Sequence, residues 1–157
     1  MNNTINYLKG DATNPKETGN KIIVHVCNDI GGWGKGFVLA ISKRWREPEE
    51  QYREWYKSGI NFNLGEVQFV QVDKETYVAN LIGQHKLNKD ENGKPPIRYE
   101  AILQGMMKVA DHATLIQASV HMPRIGCGLA GGTWDKIEPI LIETLVSKKI
   151  NVFVYDF

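Results

Sequence analysis

At 157 residues, with 42% apolar and 24% charged side chains, the chain has the size and mix of one soluble globular domain with a sizeable core. A formal net charge of +1 excludes a global field that would draw it to nucleic acid or an anionic membrane, so an anionic ligand has to be held locally. No apolar run reaches membrane-spanning length, and the start MNNTINYLKGD lacks the basic-then-apolar order of a signal peptide.

Strand-length apolar runs alternate with helix-length amphipathic stretches, the pattern of a layered α/β domain over residues 1–157. INYLKG reads as a strand broken at Gly10. KIIVHVC is short, β-branched and almost continuously apolar, which suits a central strand covered on both faces. From Phe37 to about Lys57 the period turns helical, split near Pro48, with Phe37, Ala40, Ile41 and Trp45 on one face and then Tyr52, Trp55 and Tyr56. GEVQFVQVD and TYVANLIG read as an antiparallel hairpin around Lys74–Glu75. KLNKDENGKPP is polar loop. A helix is expected over about 98–114, burying Ile102, Met106 and Val109, then a strand over LIQASVHM. TWDKIEPILIETLVSKK reads as a helix capped by Thr133, with Asp135 in its first turn and two lysines in its last, and NVFVYDF closes as a strand. The implied architecture is a three-layer α/β/α sandwich around a mixed sheet of about six strands.

Two segments are richer in glycine than packing requires. Asn28-Asp29-Ile30-Gly31-Gly32-Trp33-Gly34-Lys35-Gly36 follows the KIIVHVC strand, and Gly126-Cys127-Gly128-Leu129-Ala130-Gly131-Gly132 follows the strand that ends at Met122. Each leads into a helix. Such turns let backbone N–H groups approach a phosphate, and the helix N-terminus adds positive dipole. Neither ends in Gly-Lys-Ser/Thr and neither fits G-x-G-x-x-G, which argues against a P-loop ATPase and against a dinucleotide-binding Rossmann unit. Two such loops suggest a crevice for a pyrophosphate. Cys27 and Cys127 form no close-spaced pair of the kind zinc needs, and no metal site is expected. A disulfide between them stays open at this level; reduced thiols in the cytoplasm are the simpler reading.

The order YLKGDAT, VHVCNDIGGWGKGF, MPRIGCGLAGGTW and VFVYDF, spread over essentially the whole chain, resembles the macrodomain (Appr-1″-p processing) family. The likeness is greatest to the branch of terminal ADP-ribose protein glycohydrolase and the yeast ADP-ribose 1″-phosphate phosphatase. It implies ADP-ribose, free or on a modified protein, as the ligand, and no cofactor. Asp11, with Ala12 beside it, resembles the adenine reader. Tyr155 and Phe157 would lie near the adenine, and Asn28 resembles the asparagine that bonds the distal ribose. Gly31, Gly32, Gly34 and Gly36 would leave room for phosphate and ribose. Trp33 would cover the ribose, anchor the loop by packing, or both. Gly126, Cys127, Gly128, Leu129, Ala130 and Gly131 would wrap the pyrophosphate, Cys127 as a filler and not a nucleophile.

The same resemblance leaves the chemistry open. The glycohydrolase resembles a lysine-plus-aspartate machine, yet Leu81-Ile82-Gly83-Gln84-His85 stands at the lysine's place and Ala130 at the aspartate's. Lysyl-adduct chemistry is therefore not expected. The groups left to act on water are Asn28, His25, Gln84 and His85, whereas His112 and His121 read as structural. The loop before Arg98 is either a lid over the distal ribose or a charged surface loop. The expected activity is metal-independent removal of ADP-ribose from proteins or related adducts; a non-catalytic reader and an ADP-ribose 1″-phosphate phosphatase are the alternatives. The near-neutral charge gives a nucleic-acid adduct no support.

Overall fold

The computed structural model describes residues 4–157. Six strands form one sheet: β1 (Asn6–Lys9), β2 (Lys21–Asn28), β3 (Val67–Gln71), β4 (Thr76–Gln84), β5 (Ser119–Met122) and β6 (Val152–Asp156). Their spatial order is β1-β6-β5-β2-β4-β3, parallel throughout except for the antiparallel β3–β4 hairpin at one edge. The helices are α1 (Phe37–Arg44), α2 (Glu47–Ser58), α3 (Tyr99–Ile116) and α4 (Trp134–Thr144). The expected three-layer sandwich with a mixed sheet is present.

The continuous apolar run of β2 is explained by its place between β4 and β5. Successive residues alternate between two buried layers. Ile22 and Val24 join Ala79, Leu81, Ile102, Met106, Ile137 and Leu141 beneath α3 and α4. Ile23 and Cys27 join Val78, Trp33, Val38, Ile41 and Tyr52 beneath α1 and α2.

Several local expectations shift. The helical stretch breaks at Trp45–Arg46, and Pro48 falls in the first turn of α2, where its missing N–H costs nothing. Val38 and Ile41 are the buried residues of α1, while Phe37 and Trp45 pack only partly. The fifth strand starts at Ser119 and not near Leu115, because α3 runs on to Ile116 and Gln117 caps it in the left-handed conformation (φ 56°). Helix α4 stops at Thr144, so the two lysines belong to a following 3₁₀ turn and its end. Thr133 occupies the N-cap position without a side-chain cap bond; its amide instead donates to the Tyr99 hydroxyl at 3.0 Å. Cys27 and Cys127 are both free thiols. Among the described residues no helix is long and apolar enough to cross a membrane.

Candidate functional site

Five parallel strands end at one edge of the sheet, and the topology opens that edge at a particular place. The chain leaving β2 goes to the α1–α2 layer, whereas the chain leaving its neighbour β5 goes to α4 in the opposite layer. Where adjacent strands send their connections to opposite faces, a crevice forms outside their carboxyl ends. The two glycine-rich loops are those two connections.

The first loop is shaped by Asn28. Its Oδ1 accepts from the amides of Ile30 (3.1 Å) and Gly32 (2.9 Å), and its Nδ2 donates to the Gly32 carbonyl at 2.9 Å. The Tyr52 hydroxyl, rising from α2, donates to the Asn28 carbonyl at 2.6 Å and lies 3.0 Å from Oδ1. Asn28 is thus spent on folding the loop and is 7% exposed. Removing the hydroxyl with Tyr52→Phe leaves a buried carbonyl short of a donor, which should lower stability by about 1–2 kcal/mol in urea titration; an unchanged midpoint would show that the hydroxyl carries no weight.

Trp33 is turned inward. Its indole Nε1 donates to Ser42 Oγ at 2.8 Å, its ring meets His25 edge-on, and only 5% of the residue is exposed. Burying a ring of this size is worth on the order of 3 kcal/mol, which pins the loop and leaves only the Trp33 backbone to a ligand. Beyond it, the amides of Gly34, Lys35 and Gly36 make no hydrogen bond among the described residues, and α1 begins at the next residue.

The second loop folds on itself through Gly132 N–H to Gly126 O (2.7 Å) and Gly131 N–H to Gly128 O (3.0 Å). Gly126 (φ 72°) and Gly131 (φ 79°) adopt the left-handed conformation, which other residues reach only at a cost. The amides of Cys127, Gly128, Leu129 and Ala130 stay unbonded among the described residues. A Cβ placed on Gly36 would lie 3.6 Å from Leu129 Cδ1, so the loops face each other closely across the crevice. Burial raises the Cys127 thiol above its ordinary value, against the smaller pull of Arg124, and its Sγ lies 3.4 Å from the Ile125 carbonyl. That suits a filler, not a nucleophile.

At the end of β1, Asp11 Oδ1 accepts from the Thr13 amide (2.8 Å) and hydroxyl (2.6 Å). Partial burial opposes its charge, yet the Thr13 and Arg44 bonds outweigh that and hold the carboxyl below its ordinary value. Among the described residues its Oδ2 meets only Arg44 Nη2, at a loose 3.4 Å. Ala12 is buried beside it. Tyr155 packs under this turn, 8% exposed, its hydroxyl 2.8 Å from His121 Nδ1, so it offers no open ring face. Phe157 stands fully in solvent.

Two of the four groups expected to act on water are placed otherwise. Besides Asn28, His25 is 2% exposed, covered by Trp33 and Phe37, with Nε2 2.5 Å from Asn80 Oδ1. The Asn80 amide donates to Pro48 O and Gln68 Oε1, so its oxygen is the acceptor and His25 is the Nε2–H tautomer, as assigned from this network. Burial pushes the imidazole down to about 4 against the opposing Asn80 bond, so it is neutral. It is shielded from any ligand and ties β2 to β4 and α2. Gln84 and His85, by contrast, lie together at the end of β4. Gln84 Nε2 donates to Lys86 O at 2.8 Å, and His85 Nδ1 is 2.7 Å from Asp29 Oδ2. Asp29, Tyr52 and Arg44 were not singled out by the sequence; only the strand pairing and helix docking bring them to these places.

Among the described residues no group of three or more His, Cys, Asp or Glu side chains is arranged to hold a metal ion. A scan against models of protein families matches none of them. Known proteins do match over nearly the full chain. A macrodomain protein from Streptomyces coelicolor, of known structure, is 52% identical with a TM-score of 0.87, covering 98% of this chain and 99% of that one. The chain belongs to the macrodomain family.

Among curated relatives, the chromodomain-helicase-DNA-binding protein 1-like of Mus musculus is 31% identical over 98% of this chain, but the match spans only 18% of that protein's length. The ADP-ribose 1″-phosphate phosphatase of Lodderomyces elongisporus is 26% identical, covering 98% of this chain and 99% of the relative. The ADP-ribose glycohydrolase OARD1 of Bos taurus is 27% identical, covering 96% and 90%.

Proposed function

We propose that this macrodomain, read as a single cytoplasmic domain, binds ADP-ribose across its two glycine-rich loops and hydrolyses the bond joining ADP-ribose to a modified protein. The observation that carries the binding is the pair of facing loops whose inner amides have no partner of their own among the described residues, at the crevice between β2 and β5. In a chain of net charge +1, these local donors and the N-terminus of α1 are what a pyrophosphate meets. Asp11 Oδ2 is the acceptor for the adenine amine. Two relatives carry the names of an ADP-ribose phosphatase and an ADP-ribose glycohydrolase, which supports ADP-ribose as the ligand class. Hydrolysis is assigned to the Gln84–His85 corner, since His25 is shielded and Asn28 is spent on its loop. Two free thiols suit a reducing compartment.

Calorimetry with ADP-ribose tests the binding; no heat at millimolar ligand would overturn it. Incubation with an auto-modified ADP-ribosyltransferase tests the reaction, because a reader leaves the label on the protein and a hydrolase releases it. Phosphate release from ADP-ribose 1″-phosphate would point to the phosphatase instead. Gly34 and Gly128 locate the ligand. Neither has a positive φ, and a Cβ on either meets no protein atom within 4 Å, so Gly34→Ala and Gly128→Ala should leave the melting temperature unchanged. Each should weaken ADP-ribose about tenfold, an overpacking cost of ~1.4 kcal/mol. Unchanged affinity in both would place the ligand elsewhere.

A further inference from the structure

Asp29 and His85 are 56 residues apart, yet they form the tightest acid–imidazole contact at the mouth of the crevice, 2.7 Å from Oδ2 to Nδ1. The other carboxylate oxygen, Oδ1, accepts the Lys86 amide at 2.8 Å, so the carboxylate is held from two sides. The Asp29 side chain is 17% exposed and that of His85 43% exposed: the orienting group is tucked in and the imidazole reaches solvent. The backbone beyond His85 is also fixed. Its amide donates to Pro96 O (2.8 Å), the neighbouring Ile97 amide donates to Ala130 O of the second loop (3.0 Å), and Arg98 Nη1 bonds the carbonyls of residues 95–97. A chain of contacts therefore runs from the first loop through Asp29, His85, Pro96 and Ile97 to the second loop, whose Leu129 returns to Gly36. His85 sits on that rim, and on its outer side opens a groove of ≈ 480 Å³ lined also by Ile30, Lys86, Lys89, Glu91 and Arg98.

We propose that His85, held by Asp29, is the general base that activates water at the anomeric carbon of the distal ribose. The proposal rests on the hydrolase reading above. With Nδ1–H donating to Asp29, the Nε2 lone pair is turned outward. In the reaction a water oxygen bonds to the anomeric carbon and gives its proton to Nε2. The carbon–oxygen bond to the target breaks, and its electron pair leaves with the target carboxylate. His85 then releases the proton to solvent, so the net change consumes one water. Asp29 is a positioning residue, since it acts only through the imidazole. The charged groups that face His85 are Asp29 from the first loop, Lys86, Lys89, Asp90 and Glu91 from its own loop, and Arg98 at the start of α3, whose Nη1 is engaged by backbone carbonyls.

The test uses the full chain with an auto-modified ADP-ribosyltransferase as substrate and free ADP-ribose as the binding probe. Asp29→Asn can still bond the ring, but its amide donates to Nδ1 and forces the Nε2–H tautomer, which cannot take a proton. We expect Asp29→Asn and His85→Gln to keep the ADP-ribose Kd within about twofold and to lose ~10²–10⁴-fold in kcat, the usual worth of general-base help. His85→Ala should regain part of its rate with added imidazole, which a purely structural role would not give. Wild-type kcat in His85→Gln, or a loss confined to KM, would reduce the pair to a loop latch and overturn the proposal while the hydrolase reading stands. A wild-type protein that binds ADP-ribose and releases none from any linkage would overturn both.

Discussion

Gly132→Ala should weaken ADP-ribose binding by ~5- to ~150-fold. The methyl group would stand 2.5 Å from the Gly126 carbonyl oxygen, 2.6 Å from Ile97 Cδ1 and 3.2 Å from the Tyr99 hydroxyl. Ile97 can turn aside. The carbonyl cannot, because it is backbone and is held at 2.7 Å by the Gly132 amide itself. The only relief is to open the Gly126–Gly132 bond, which closes the second loop and sets the spacing of its inner amides. Overpacking of this kind costs about 1–3 kcal/mol, and each 1.4 kcal/mol is a factor of ten in affinity. The strain falls on a surface loop, so the melting temperature should drop by only a few degrees while the calorimetric Kd rises. A Kd within twofold of wild type would mean that the second loop does not set the site.

The contrast with Gly34 and Gly128 shows what the sequence could and could not reveal. It displays two glycine-rich connections after apolar strands, which is enough to place a crevice at the carboxyl edge. It does not say which glycines leave space for a ligand and which leave space for the protein. Gly126 and Gly132 make room for Ile97, a residue from a different connection. The two-layer burial of β2 was legible because a run such as KIIVHVC has no polar face to show solvent. The hairpin was legible because its strands are adjacent in sequence.

Asp29 was in view as a member of its loop, but nothing local distinguishes it. Its role follows from β2 pairing with β4, with Asn28 opposite Gln84, so that the next residue of each strand meets at the rim. Parallel neighbours are joined by long crossovers, and single-sequence patterns do not give their order. The same pairing sets His25 opposite Asn80 and turns a plausible catalyst into a buried tie. Trp33 reads ambiguously for a related reason: its indole finds Ser42 only once α1 has docked.

That buried tie makes the fold acid-sensitive, and the expected size is large. His25 is fully enclosed, faced by Asn80 from β4, Cys27 from β2 and the rings of Trp33 and Phe37, with no charged group among them. His121 is as deeply enclosed, between Ser119, Tyr155 and Phe153, with Lys21 adding repulsion to any positive charge. Burial holds the two imidazoles down to about 4 and about 3, from an ordinary 6.5. His112 is lowered in the same direction by its own burial. A depressed histidine binds fewer protons folded than unfolded. Its contribution is therefore complete above pH ~6.5 and is lost as the unfolded chain takes up protons below that.

Each histidine gives a slope near 1.4 kcal/mol per pH unit, so His25 alone removes roughly 3 kcal/mol by pH 4 and His121 a similar amount. Together they approach the whole stability of an ordinary domain, ~5–15 kcal/mol. The lowered carboxyls of Asp11 and Asp156 act with the same sign only below their ordinary 3.8, a lower window. Urea midpoints should be flat from pH 8 to 7 and fall steadily from about pH 6.5, with acid unfolding under way near pH 4. His25→Gln keeps an amide donor for Asn80 and cannot titrate, so its slope between pH 6 and 4.5 should be shallower by about 1.4 kcal/mol per unit. Equal slopes in the two proteins would show that His25 takes its proton inside the folded protein, and that the β2–β4–α2 tie is looser than its 2.5 Å contact implies.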